Sequence, residues 1–232
     1  MLVKLVNHTP DPERAVAVAA RMCYSSLPPL QITDKLDDYQ IVALIRELVR
    51  RGHFSPLEHA SFTFIITGSR AMSHQFVRHR IASFSQRSQR YVKESGFSYI
   101  TPPSIQVNAV AEQIFARCMN ELQKTYNELL QLGVPAEDAR YVLPNACETS
   151  FVCTMNARSL HNFFRLRQCQ RAQWEIRRVA NLMLREVRKV APVLFAQAGP
   201  PCVVDGVCPE GDKSCGFINR LRVDRSAGGS VD

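Results

Sequence analysis

The pattern of apolar and polar positions changes period several times along the chain. Val3 to Asn7 predicts a short opening strand. From Asp11 to Tyr24, alanines and valines recur at helical spacing, with Asp11 placed to cap the helix and Pro12 at its first position. Over residues 35–51, Leu36, Tyr39, Ile41, Val42, Leu44, Ile45, Leu48 and Val49 recur at intervals of three and four. Asp34 is the expected cap of this helix and Gly52 its stop. Residues 60–67 alternate instead. Phe62, Phe64 and Ile66 share one face and Ser61, Thr63 and Thr67 the other, which is the signature of a half-buried strand.

Residues 70–80 predict a short helix with Met72, Phe76 and Val77 inward. Residues 109–132 predict a long amphipathic helix whose apolar stripe is Ile114, Phe115, Cys118, Met119, Leu122, Tyr126, Leu129 and Leu130, ended by Gly133. A helical turn over 136–142 precedes Pro144. From Ala157 to Val190 the helical period returns in two pieces. Leu160, Phe163, Phe164 and Leu166 face inward in the first, and Trp174, Ile176, Val179, Leu182, Met183 and Val187 in the second. The segment from Gly199 holds six of the ten glycines and ends in Ser-Ala-Gly-Gly-Ser-Val-Asp. It predicts an irregular tail over 199–232, with about the last ten residues disordered, after one folded domain over 1–198.

Composition narrows the class. A hydrophobic share of 46% and a charged share of 22% are those of a globular protein. No apolar run approaches the roughly 18 residues a membrane span needs, and the first residues lack the pattern of a signal peptide, so a cytoplasmic protein is expected. The eight cysteines are then expected as thiols. Cys202, Cys208 and Cys215 follow a C-x5-C-x6-C spacing with Cys169 as a conceivable fourth ligand. That is not the paired CxxC spacing of a zinc site, and no metal is expected.

The net charge of +8 comes mostly from arginine. Between Glu58 and Glu94 there is no acidic residue, yet the interval holds Arg70, Arg78, Arg80, Arg87, Arg90, Lys93, His74 and His79. A solvated basic face is the bland reading. The functional one is an anionic ligand, because the guanidinium fork suits phosphate and the interleaved Ser and Gln side chains suit phosphate and base edges. Ser88 reads better as a phosphate ligand than as a nucleophile, since no activating base is apparent.

Within this interval, FVRHRIASFSQRSQRYV contains RHR-x7-S and resembles the signature of the flavin-dependent (ThyX-type) thymidylate synthases. Upstream, GHFSPLEHASFTF resembles that family's G-H-x-[ST]-P-x-E-H-x-x-F-x-F segment. Downstream, ARYVLPNACETSFVCTMNARSLHNFFRLRQCQRAQWEIR resembles its second block. The likeness covers roughly residues 1–195.

The resemblance implies an α+β fold, a mixed sheet with packed helices, assembling as a homotetramer. It implies methylation of dUMP to dTMP, with methylenetetrahydrofolate as one-carbon donor, FAD as hydride carrier and NADPH as reductant. Residues 1–198 then form the catalytic domain that binds FAD and dUMP. The implied partners are dUMP, folate and further copies of the chain, not nucleic acid or a membrane. A protein using the same basic segment on a nucleic-acid backbone is the alternative, but no RNP or zinc-finger signature accompanies it.

Residue by residue, the resemblance implies dUMP contacts at Gln75, Phe76, Val77, Arg78, Arg140 and the stretch Gln86, Arg87, Ser88, Gln89 and Arg90, which would cradle the phosphate. It implies FAD contacts at Ser55, Arg78, His79, Arg80, Gln86, Asn156, Ala157, Arg158 and Asn162, and a position near the folate for His53. Arg167 matches the arginine that sits against the pyrimidine, where a fixed cation would stabilise negative charge on the ring. Two positions depart from the commonest pattern. Ser85-Gln86 stands where many members have Asn-Glu, which removes a charge, and Ser55 replaces a frequent Thr, which keeps the hydroxyl.

Overall fold

The computed structural model describes residues 1–226. The chain forms β1 (Leu2–His8), α1 (Pro12–Met22), α2 (Pro29–Lys35), α3 (Asp38–Arg51), β2 (Ser61–Ser69), α4 (Arg70–Phe76), β3 (Ala82–Gln86) and α5 (Pro103–Gln106). There follow α6 (Ala109–Gln131), α7 (Ala136–Ala139), β4 (Glu148–Asn156), α8 (Ala157–Arg167), α9 (Trp174–Val190), α10 (Pro201–Val204) and α11 (Phe217–Ser226). Short 3-10 turns lie at Ser55–His59, Arg140–Val142 and Gly211–Lys213.

The strands make one sheet in the order β1-β2-β4-β3. The α+β class expected from the resemblance holds, but the pairing is antiparallel rather than mixed. On β2 and β4, Thr63 bonds Thr154 at 2.9 Å and Thr67 bonds Ser150 at 2.8 Å, so the register runs in opposite directions along the two strands. Burial alternates along both in the same rhythm, with Phe62, Phe64 and Ile66 inward on β2 and Thr149, Phe151, Cys153 and Met155 inward on β4.

The chain divides into two compact units. The first is Met1–Leu2, Ile65–Arg78 and Phe84–Cys153, and the second is Val3–Phe64, His79–Ser83 and Thr154–Asp232. In the first, Phe76 packs edge-on against Phe84 and Phe151, with centroids 6.1 and 5.1 Å away. Phe97, Met119 and Cys147 form a further apolar cluster, flanked by Tyr99, Phe115 and Leu122. The fully buried Tyr126 accepts the Glu94 N–H at its hydroxyl. In the second unit, Phe195 lies between Phe62, Phe164 and His161, with centroids at 5.3, 6.0 and 5.3 Å.

Several boundaries differ from the sequence expectation for local reasons. The cap of α3 is Asp37, whose side chain accepts the Gln40 N–H at 2.7 Å, because Leu36 is extended and separates α3 from α2. Asp34 belongs to α2. Asp11 does cap α1, and Gly52 ends α3 at a φ of 72°, a left-handed conformation that favours glycine. On α6 only Met119 and Tyr126 are buried, and Ile114 and Cys118 are exposed, so much of the expected stripe is uncovered in the single chain. Leu166 of α8 is also exposed, while Leu160, Phe163 and Phe164 are fully buried as expected.

The composition of 199–232 predicts irregular chain, yet α10, a 3-10 turn and α11 fall there. Pro201 opens α10, and Gly206, Gly211 and Gly216 take positive φ at the bends between the pieces. The disorder expected for about the last ten residues concerns positions largely outside the described residues. Replacing Phe195 by Ala removes a ring enclosed by three others. It should cost about 3–5 kcal/mol of stability, read as a lower denaturant midpoint with an unchanged m-value. An unchanged midpoint would contradict this view of the core.

Candidate active site

The first unit holds the residues expected at the nucleotide, apart from Arg167. β2 runs directly into α4, where the Ser69 hydroxyl accepts the Met72 N–H at 3.0 Å and caps the helix. The helix ends at Phe76, so Gln75 and Arg78 lie at its C-terminal end, the former half-buried and the latter exposed. Phe76 itself belongs to the core, and Val77 is half-buried with its N–H on the Ser73 carbonyl.

β3 delivers the segment Gln86 to Arg90. The Gln86 amide donates to Ser73 at 3.0 Å and Thr149 at 3.3 Å, so the uncharged side chain acts as a donor. The Arg87 N–H donates to the Ser150 carbonyl, and the Val92 N–H donates to that of Ser88, closing a bend. The Ser88 hydroxyl accepts the Arg90 N–H at 3.3 Å, and Gln89 is buried with its amide on Cys147.

The acid-free interval is balanced from elsewhere in the first unit. Arg87 pairs with the buried Glu94 at 3.1 Å. Arg90 pairs with Glu137 of α7 at 3.0 Å, and the Arg140 side chain donates to the Glu137 carbonyl at 2.9 Å. Glu137 thus meets two arginines expected at dUMP, Arg90 through its carboxylate and Arg140, three residues on, through its backbone carbonyl. Glu94 and Glu137 are the parts of this cluster that motif reading missed.

The second unit holds the residues expected at the flavin, apart from Arg78 and Gln86. β4 runs directly into α8, and the Asn156 side chain caps that helix by accepting the Ser159 N–H at 2.9 Å. Ala157 is fully buried, with its N–H on the Ala60 carbonyl, and so serves the scaffold. Arg80, Asn156, Arg158 and Asn162 line one open cleft of about 970 Å³. Arg50, Arg51 and Arg165, which sequence reasoning did not single out, line the same cleft. Arg158 is tied to Glu58 at 2.6 Å and Arg165 to Asp205 at 2.7 Å. His53 and Ser55 are exposed in the α3–β2 connection and are not among the residues lining that cleft. Cationic forks together with neutral amides around a cleft suit a phosphorylated ligand.

Arg167, the last residue of α8, is held differently. Its Nε–H donates to Nε2 of His79 at 2.7 Å. The His79 ring is buried and meets Phe163 edge-on, with centroids 4.9 Å apart. An accepting Nε2 means a neutral imidazole with its proton on Nδ1. Burial, and then the charge of Arg167, push the His79 pKa down to about 4, and burial also lowers that of Arg167. His161 is a structural histidine. It stacks on Phe54 and Phe195, its Nε2 lies 2.9 Å from the Leu194 carbonyl, and burial lowers its pKa.

Cys169, Cys202, Cys208 and Cys215 line a separate recess in the second unit. Among the described residues, no three His, Cys, Asp or Glu side chains are grouped to hold a metal ion, and no helix is long and apolar enough to cross a membrane.

An α+β scaffold that presents two arginine-rich clusters, one beside a bend of backbone amides and one around an open cleft, has the make-up of a protein for phosphorylated ligands. The profile of the family described as Thymidylate synthase complementing protein matches residues 4–193. A protein of Geobacter sulfurreducens named flavin-dependent thymidylate synthase is 52% identical over 219 residues, spanning 93% of this chain and 94% of its own length. Proteins of the same name from Clostridium tetani and Pyrococcus abyssi are 49% and 41% identical, spanning 95% and 90% of this chain and 95% and 89% of their own lengths. The chain belongs to the flavin-dependent thymidylate synthase family.

The two buried histidines set a direction for stability against pH. Their pKa values are lower in the folded protein than in the unfolded chain, where about 6.5 applies. Their contribution is fully present above about pH 6.5 and is lost as the pH falls toward 4, because only the unfolded chain takes up the protons. The urea midpoint should therefore be lower at pH 5 than at pH 7, and the drop should be smaller in His79→Gln. A midpoint that rises on acidification would contradict the assignment of neutral, buried imidazoles.

Proposed function

We propose that this protein methylates dUMP to dTMP in the cytoplasm, with methylenetetrahydrofolate as one-carbon donor and NADPH as reductant of a bound FAD. The reading is carried by one observation: the chain matches flavin-dependent thymidylate synthases over nearly its whole length and also surrounds a single cleft with Arg80, Asn156, Arg158 and Asn162. In that cleft the arginines would hold the flavin's pyrophosphate and the amides would meet its polar edges, with Ser55 and Gln86 as further FAD contacts. When bound, the flavin supplies the hydride.

The protein's own residues bind and orient the nucleotide. Arg90 and Arg140, gathered by Glu137, would take the dUMP phosphate together with Ser88 and the bend from Gln86 to Gln89. Gln75, Arg78 and the backbone at Phe76 and Val77 would contact the rest of the nucleotide, and the exposed His53 would face the folate. Arg167 would lie against the pyrimidine carbonyl and stabilise negative charge on the ring, raising the nucleophilicity of C5 without a protein nucleophile. Assembly as a homotetramer is part of the proposal. Val107 before α6, and Val110 and Ile114 in its first two turns, are 85%, 66% and 54% exposed, apolar side chains that further copies of the chain would cover.

Two substitutions separate the roles. Arg167→Ala should keep the absorbance of bound flavin and lose about 100- to 1000-fold in dTMP formation, the scale of removing one preorganised electrostatic donor. Arg90→Ala should weaken dUMP binding about 10- to 100-fold, the worth of a charge-assisted hydrogen bond, with flavin content unchanged. Near-normal turnover in the first variant, or unchanged dUMP affinity in the second, would remove that residue from its place.

A further inference from the structure

Most of the arginines around the candidate site answer a carboxylate. Arg87, Arg90, Arg158 and Arg165 pair with Glu94, Glu137, Glu58 and Asp205. Arg167 instead donates its Nε–H to an imidazole nitrogen. A carboxylate would orient the guanidinium and also cancel much of its field. A neutral acceptor orients it and leaves the full positive charge in place. Engaging Nε leaves the two Nη groups as a fork for a ligand.

We propose that His79 is a positioning residue for Arg167, fixing the direction of its guanidinium through the Nε2 bond while leaving its charge uncompensated. The local geometry explains how the ring can do this. Phe163 and Arg167 stand four residues apart on α8 and so share one face of the helix. His79 meets both, with its ring edge-on to Phe163 and its Nε2 2.7 Å from Arg167. His79 is 7% exposed, so rotation that would break the bond is opposed by packing. The low pKa of His79 accords with an imidazole that stays an acceptor throughout the neutral range. This role is separate from any contact between His79 and the flavin, and it rests on the reading of Arg167 given above.

The test compares the flavin-loaded wild type with His79→Ala, His79→Asn, His79→Gln, Arg167→Ala and the double variant His79→Ala/Arg167→Ala, using dTMP formation over a range of dUMP concentrations. Gln places an amide oxygen near the position of Nε2, whereas Asn is too short to reach it. His79→Ala and His79→Asn should lose about 10- to 100-fold in kcat with little change in KM for dUMP, because misplacing a charge by about 1 Å is that costly. His79→Gln should recover to within a few-fold of wild type. The double variant should be no slower than Arg167→Ala, since a residue acting through Arg167 has nothing left to position. Wild-type kcat in His79→Asn, failure of His79→Gln to recover, or additive losses in the double variant would each overturn the proposal. Wild-type turnover in Arg167→Ala would sink the reading of Arg167 itself, an outcome distinct from an inactive Arg167→Ala beside an unimpaired His79→Asn. Should His79→Ala fail to fold, the Asn and Gln variants carry the comparison, with Asn/Arg167→Ala as the double variant.

Discussion

The placement of the candidate residues depends on two junctions where a sheet strand passes into a helix without a loop. At each, the last residue of the strand caps the helix: Ser69 at the start of α4 and Asn156 at the start of α8. A side chain that accepts an N–H of the first turn satisfies one of the otherwise unpaired donors there and fixes the angle at which the helix leaves the strand. The strands that feed these junctions are neighbours in antiparallel register, and each buries alternate side chains in the core. A slip of one residue in either strand would turn its apolar face to solvent, so the register is strongly specified. Through α4 the constraint reaches Gln75 and the Arg78-His79-Arg80 stretch. Through α8 it reaches Arg158, Asn162 and Arg167.

Electrostatics then distinguishes the arginines by task. Those paired with carboxylates, such as Arg90 with Glu137, would have to share or exchange that partner on meeting the proposed phosphate. Such exposed pairs contribute little to stability, so exchanging them costs little. Arg167 is held by a neutral group and keeps its charge. On the proposed reading, the paired arginines are cations that a phosphate could recruit, and Arg167 is a cation whose field would be available to a ring that gains negative charge.

Much of this was legible in the chain, and the rest was hidden for identifiable reasons. The alternation of Phe62, Phe64 and Ile66 marked β2, and the caps at Asp11 and Gly52 marked helix ends, because these signals are local. β4 carries the same alternation at Thr149, Phe151, Cys153 and Met155, and that signal could have located it. α2 and the short β3 offer few residues from which to read a period. The pairings of Arg87 with Glu94 and of Arg90 with Glu137, and the bond from Arg167 to His79, join positions that only tertiary packing selects. Motif letters indicated that His79 mattered, but not that it would accept from Arg167. Phe76 and Ala157 sit inside site motifs and proved to be core positions, because one stretch of chain serves both the scaffold and the ligand face.

The most direct measurement follows tritium from C5-labelled dUMP in a reaction of the purified protein with FAD, NADPH and methylenetetrahydrofolate. Methylation at C5 must expel that hydrogen, so tritium release should match dTMP formed one for one and cease when the folate is left out. Oxidation of NADPH that continues with dUMP present, with neither tritium release nor dTMP, would contradict the account and leave a flavin oxidase that merely responds to the nucleotide.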